Sequence, residues 1–148
     1  MRLDYLCDMD LAYREESFGD FVLARPYGTE EGAGYGEGDG QVTGERLRGT
    51  VRWVNHPRRR SDRTMLPDAH GLIRTEDSAD ILFSLQGRTG WVDSGGRRKG
   101  RQVLVALFES QAERYRWLND LVCILEGEID PESGKMHSRI YACLNEMV

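Results

Sequence analysis

Residues 45–55 read ERLRGTVRWVN, with Leu47, Val51 and Trp53 on one parity and Arg46, Arg48 and Arg52 on the other. Successive side chains of a strand point to opposite faces, so this segment has one apolar and one wet face, as in an antiparallel sheet packed on one side. The same alternation recurs on both flanks. Leu3, Tyr5, Cys7, Met9, Leu11 and Tyr13 share a face opposite Asp4, Asp8, Asp10 and Arg14. In DILFSLQ, residues 80–86, Ile81, Phe83 and Leu85 alternate with Asp80, Ser84 and Gln86. Further strands are expected at 20–27, 67–75, 102–109, 119–126 and 135–145.

About eight strands, broken by Gly, Pro and Asp turns, leave room for one short helix. SQAERYRWLN, residues 110–119, opens on Ser110 with Glu113 three positions later, a capping-box spacing, and has length for about two turns. Short antiparallel connections predict an all-β, roughly eight-stranded up-and-down barrel, because closure removes exposed sheet edges. A two-sheet sandwich shares the alternation and is the rival. The 148 residues are read as a single domain, 1–148, and a chain of this size buries about 70% of its unfolded surface.

In GAGYGEGDG, residues 32–40, Gly32, Gly34, Gly36, Gly38 and Gly40 occupy every second position. This matches neither phosphate-binding glycine spacing, no helix follows, and Glu30, Glu31, Glu37 and Asp39 would repel an anion. Alternate glycines in a β context leave one face bare for bends or close backbone approach. The segment is expected to be a flexible hairpin tip, with a mobile flap over the barrel mouth as the functional version.

A net charge of −5 argues against nucleic acid as the partner. The run Arg58–Arg60 lacks the interleaved aromatics of single-strand binders and reads as a solvated loop. Eighteen arginines against two lysines suit a GC-rich bacterial genome. Cys7, Cys123 and Cys143 show no C-x-x-C spacing and read as small reduced hydrophobes. No signal sequence opens the chain and no window approaches the ~18 apolar residues of a membrane span, so a cytoplasmic protein with no membrane partner is expected. The barrel should be basic at one rim, where HPRRRSDR (56–63) and GGRRKGR (95–101) fall together. It should be acidic at the other, with EDSAD (76–80) and the glycine segment there; the acidic GEIDPESG (127–134) lands on the basic rim.

GERLRGTV, PDAHGLIRTEDSADILF, FES followed by ERYRWLN, and the closing RIYACLNE resemble the bacterial family catalogued as domain of unknown function 3237. The resemblance covers nearly the whole chain from about Gly44, and RYRWLN is its most specific mark. Where members commonly carry Asp-Gly after the Thr, this chain has Asp77-Ser78. The resemblance implies a small calycin-like antiparallel barrel with an internal cavity. It brings no reaction and no catalytic residue.

The residues that could carry chemistry are few. His56, His70 and His137 show no metal-ligand spacing, so neither metal nor cofactor is expected. In PDAHGLIRT, Asp68, His70 and Arg74 share a parity. Facing inward they would place an imidazole in a low-dielectric cavity beside a carboxylate and a guanidinium, with His70 as base, Asp68 orienting it and Arg74 or Asn119 stabilising negative charge. Facing outward they are a solvated trio. Trp53 and Tyr141 are expected to face inward or line an end, as packing or pocket wall. Trp117 either plugs an end or binds ligand, and Asn119 bonds a ligand or the adjacent turn. The reading is a barrel binding one small, largely apolar organic metabolite. The alternative is a cofactor-independent isomerase, cyclase or lyase working by acid–base catalysis at His70, and a fully packed structural module is a third possibility. Any open sheet edge would permit a homodimer.

Overall fold

The computed structural model describes residues 1–15, 22–25, 28 and 31–147. In chain order its strands are β1 (Arg2–Tyr13), β2 (Val22–Ala24), β3 (Gly32–Gly34), β4 (Gly36–Thr43), β5 (Arg48–Asn55), β6 (Arg58–Arg59), β7 (Met65–Leu66), β8 (Asp68–Thr75), β9 (Asp80–Ser94), β10 (Arg97–Glu109), β11 (Cys123–Ile129) and β12 (Lys135–Leu144). Eight of them, β1, β4, β5, β8, β9, β10, β11 and β12, pair antiparallel in that order, and β12 returns to β1 to close the ring. The expected up-and-down barrel is therefore the fold. The short strands β7, β6, β3 and β2 extend from β9 as a wing beside one rim. No helix of the described residues is long and apolar enough to cross a membrane.

The glycine segment is corrected. It is neither hairpin tip nor flap: Gly32–Gly34 forms β3 of the wing, paired with β2 and β6, and Gly36–Thr43 forms β4, a ring strand paired with β1 on one side and β5 on the other. Gly36, Gly38 and Val42 are buried on its inner face, while Asp39 and Gln41 are exposed outside. A Cβ at Gly38 would run into the Ala12 carbonyl and the Trp53 ring, and one at Gly40 into Asp10 and Leu11. The bare face is thus an architectural need, filled from neighbouring strands. The expected strand 20–27 lies partly outside the described residues; of it, Val22–Ala24 belongs to the wing.

Two other expectations shift. In β1 the pairing with β12 slips between Tyr5 and Cys7, which puts Leu6 and Cys7 both inside and turns Leu3 and Tyr5 out to solvent. A bulge inserts one residue and reverses parity beyond it. The helix is a 3₁₀ segment, Glu113–Leu118, and the capping box does not form. The Ser110 hydroxyl instead donates to the Asp80 carbonyl at 2.8 Å and accepts the Ala112 N–H at 3.2 Å.

The helix crosses one end of the barrel and closes it. Leu118, Leu47 and Phe108 are almost wholly buried there, above a packed half built from Cys7, Met9, Val42, Ile73, Ile81, Cys123 and Ile140. The turn at 76–79 is laced to this cap. Asp77 accepts from Arg114 Nε at 2.5 Å and from the Tyr115 hydroxyl at 2.8 Å, and Ser78 takes the left-handed φ of 68° that a glycine would fill without strain.

Among the described residues the opposite end is open. The segment 56–64, which carries β6, and the turns 95–96 and 130–134 all lie there, so the two basic stretches do share a rim, as expected, together with the acidic loop. Arg97 pairs with Asp130 and Glu132, and Lys99 with Glu128, which offsets part of the positive charge. The glycine segment, expected at the far end, starts from this same rim, and its Glu37 and Asp39 bind Arg14 on the outer wall. β9 and β10 outrun the ring and are joined by Gly95 and Gly96 with φ of 60° and 77°, the two positive values a type I′ hairpin turn demands.

Candidate functional site

Among the described residues, the half of the barrel toward this rim is hollow. A cavity of about 410 Å³ runs from the rim to a floor at Leu104, Leu125 and Leu85, within the roughly 300–1,000 Å³ range of small-molecule pockets. Its walls are the inner parity of the ring strands: Leu11 and Tyr13 from β1, Trp53 and Asn55 from β5, Ala69 from β8, Thr89 from β9, Gln102 from β10, Ile129 from β11, and Met136 and Ser138 from β12. Pro57, Met65, Pro67 and Pro131 line it from the rim loops and wing.

One wall is aromatic and held rigid. The rings of Tyr13 and Trp53 meet edge-on with centroids 4.6 Å apart, and the Trp53 indole N–H donates to the Asp39 carbonyl at 3.2 Å. Asn55 Nδ2 donates to the Tyr13 hydroxyl at 3.0 Å while its Oδ1 accepts the Asp68 N–H at 3.0 Å, so the carboxamide has one orientation. Burial pushes the Tyr13 hydroxyl well above the usual phenol range, which keeps it neutral.

At the mouth, Trp91 and Arg98 share the inner parity on the projecting β9–β10 hairpin. The Arg98 guanidinium lies 4.7 Å from the Trp91 ring centroid. Arg59 and Arg63 also line the entrance. The cavity therefore combines an apolar interior with a cationic rim. Among the described residues its titratable side chains are Tyr13, Arg59, Arg63 and Arg98, with no carboxylate or histidine. Among the described residues no cluster of three or more His, Cys, Asp or Glu side chains could hold a metal ion.

The expected site residues scatter. Trp53 alone of them lines the cavity. On β8 it is Ala69, Ile73 and Thr75 that are buried, so Asp68, His70 and Arg74 stand on the outer wall, with side chains 45%, 57% and 62% exposed. His70 Nε2 does meet Asp68 Oδ1 at 3.1 Å, but in solvent. Gln86 donates to the same carboxylate at 2.8 Å, and this bond first, then His70, holds Asp68 below the usual carboxylate range. Arg74 leaves them for Asp80, at 2.9 Å. The inward placement fails because the small and branched residues of this strand, not the polar ones, fit the packed interior.

Tyr141 also points outward, its hydroxyl donating to Glu126 at 2.9 Å and its ring edge-on to Tyr5 at 6.1 Å. Trp117 sits at the closed end under the Arg46 guanidinium, 3.6 Å from its ring centroid. Asn119 bonds the adjacent turn: its Oδ1 accepts the Ser110 N–H at 2.7 Å and its Nδ2 donates to the Ser110 carbonyl at 2.9 Å. None of the three lines the cavity. Sequence reasoning missed Asn55, Trp91, Arg98, Gln102 and Ser138. A signal existed for two of them: Gln102 shares the parity of Leu104, Ala106 and Phe108, and Ser138 that of Ile140 and Ala142. A lone polar residue in an inward apolar row faces either a partner or a ligand.

No model of a known protein family matches the chain, and no curated protein does. Solved structures do. A β-barrel-like protein of Acinetobacter baumannii superposes with a TM-score of 0.77 at 14% identity, over 95% of this chain and 94% of that one. A protein of unknown function from Clostridium acetobutylicum gives 0.79 at 15% identity, over 97% and 100%. A structure described as an enzyme from Penicillium herquei gives 0.69 at 21% identity, over 95% and 93%. At these identities the likeness is one of fold.

Proposed function

We propose that this chain is a ligand-binding barrel that takes one small, largely apolar organic molecule into the hollow half of its interior. The observation that carries the reading is the contrast between the two halves: one is packed to the axis, while the other holds a cavity of about 410 Å³ walled by Leu, Met, Tyr and Trp side chains. Packing defects on this scale cost stability unless something fills them, and apolar pockets with a few converging polar groups are where ligands bind. The reading fits the cavity implied by the resemblance to domain of unknown function 3237, and we propose membership of that family with it.

Binding is favoured over catalysis at His70. A general base must come within hydrogen-bond reach of the proton it takes, and His70 stands outside the wall, more than half exposed. The enzyme from Penicillium herquei shares the fold, and nothing of its reaction transfers at this identity.

The test is a fluorescence titration with 1-anilinonaphthalene-8-sulfonate, an aromatic body carrying an anion. Saturable one-to-one binding is expected, weakened more than tenfold by Leu104→Trp, which fills the floor, with circular dichroism unchanged. Failure of the dye to bind, or equal binding to the filled variant, would overturn the reading.

A further inference from the structure

We infer that the cavity carries a built-in hydrogen-bonding subsite, formed by Gln102 and Ser138, that selects ligands presenting a carbonyl oxygen on their apolar frame. The inference rests on the proposed ligand-binding role and adds the ligand's chemical class.

The pairing register places the subsite. Thr89 on β9 lies opposite Gln102 on β10, Gln102 opposite Gly127 on β11, and Gly127 opposite Ser138 on β12. All four have inner parity, so they form one row across the cavity wall. Gly127 has no side chain, and a Cβ there would overlap the Ser138 hydroxyl. The Ser138 hydroxyl therefore occupies the space that the glycine leaves between it and Gln102.

The hydrogen-bonding arithmetic leaves donors over. Thr89 Oγ1 donates to Gln102 Oε1 at 3.2 Å, which occupies the carbonyl end of the carboxamide and turns its Nε2 away from Thr89. Gln102 is 7% exposed and Ser138 4% exposed, both lining the cavity. Among the described residues neither Gln102 Nε2 nor Ser138 Oγ has a side-chain hydrogen bond. No buried side-chain N or O atom of the described residues is orphaned, so these two atoms are not sealed within the wall but stay accessible from the cavity. Two amide N–H groups and a hydroxyl then converge on one region of an otherwise apolar wall. A ligand acceptor with two lone pairs, a ketone, quinone or carboxyl oxygen, matches that set. A hydrocarbon of equal shape would strip water from the same donors and leave them unpaired, which is how buried polar groups discriminate most strongly.

The experiment compares 1-tetralone with tetralin, two bicyclic probes of nearly equal shape that differ by the carbonyl oxygen. Each is titrated as a competitor of 1-anilinonaphthalene-8-sulfonate against the full chain. Tetralone is expected to bind about tenfold tighter than tetralin. Gln102→Leu should abolish the preference and Ser138→Ala reduce it, with tetralin binding at least as well as before. Equal affinity of both probes for the unaltered protein overturns the subsite while leaving the cavity reading standing. Displacement by neither probe overturns the cavity reading and the subsite together. Because the decisive comparison uses the unaltered protein, poor folding of either variant does not shield the inference. A preference that survives unchanged in both folded variants also overturns it.

Discussion

Gly38 lies directly opposite Trp53 across the β4–β5 pairing, and the Trp53 ring occupies the space where a side chain at Gly38 would be. A single missing Cβ thus sets the position of the aromatic wall. Gly38→Ala should cost about 1–3 kcal/mol, the range for overpacking a filled site, because the new methyl meets the Ala12 carbonyl as well as the indole. A urea titration reads this as a lower midpoint with unchanged slope. An unchanged midpoint would show that β4 does not approach β1 and β5 so closely.

The thiols give a second expectation. Cys7 and Cys123 are fully buried, and burial pushes them up to about 12 and about 11. In the native protein at pH 8 a disulfide reagent should react with Cys143 and spare the other two, all three reacting after denaturation. The same shift sets a pH dependence. A thiol whose folded pKa is raised contributes stability that is complete below its unfolded value near 8.5 and is lost as pH rises toward the folded value. Stability should therefore decline between about pH 8.5 and 11. A Cys7→Ala variant that declines as steeply would refute the assignment to Cys7.

The ring strands were legible because their alternation is local: β5 and β9 announce one wet and one dry face without reference to anything else. What stayed hidden depends on partners distant in sequence. Gly38 and Gly40 look like loop residues until Trp53 and Leu11 are seen filling the space beside them. The bulge at Leu6 is invisible because Leu3-Tyr5 and Cys7-Met9 alternate perfectly on either side of it. On β8 either face could have been the inner one; Ala69 and Ile73 went inside and took His70 out of the cavity. Asn119 allowed two partners, and the turn at Ser110 claimed it.

The closed end is pinned by one carboxylate. Asp77 takes hydrogen bonds from Arg114, Thr75 and Tyr115, and the Arg114 guanidinium above all holds it well below the usual carboxylate range. A depressed carboxylate contributes stability that is present above its unfolded value near 3.9 and is lost as pH falls through the folded one. Asp77→Asn should therefore lower the thermal midpoint at pH 7 and flatten its acid dependence below pH 4. A variant with the same acid limb as the parent would show that the Asp77 network does not couple to folding.

Arg98 should decide how the mouth treats charge. Its guanidinium lies over Trp91 at 4.7 Å on the projecting hairpin, where an anion leaving the apolar cavity would meet it. The site is exposed and screened, so the effect is modest: Arg98→Gln should weaken 1-anilinonaphthalene-8-sulfonate about two- to fivefold. N-phenyl-1-naphthylamine, the same frame without the sulfonate, should be unaffected. Raising salt from 50 to 500 mM should erode the anion's advantage in the parent and leave the variant nearly flat, since a Debye length of about 10 Å at 0.1 M screens surface charges. Equal losses for both dyes would mean that Arg98 acts through the position of Trp91 rather than through its charge.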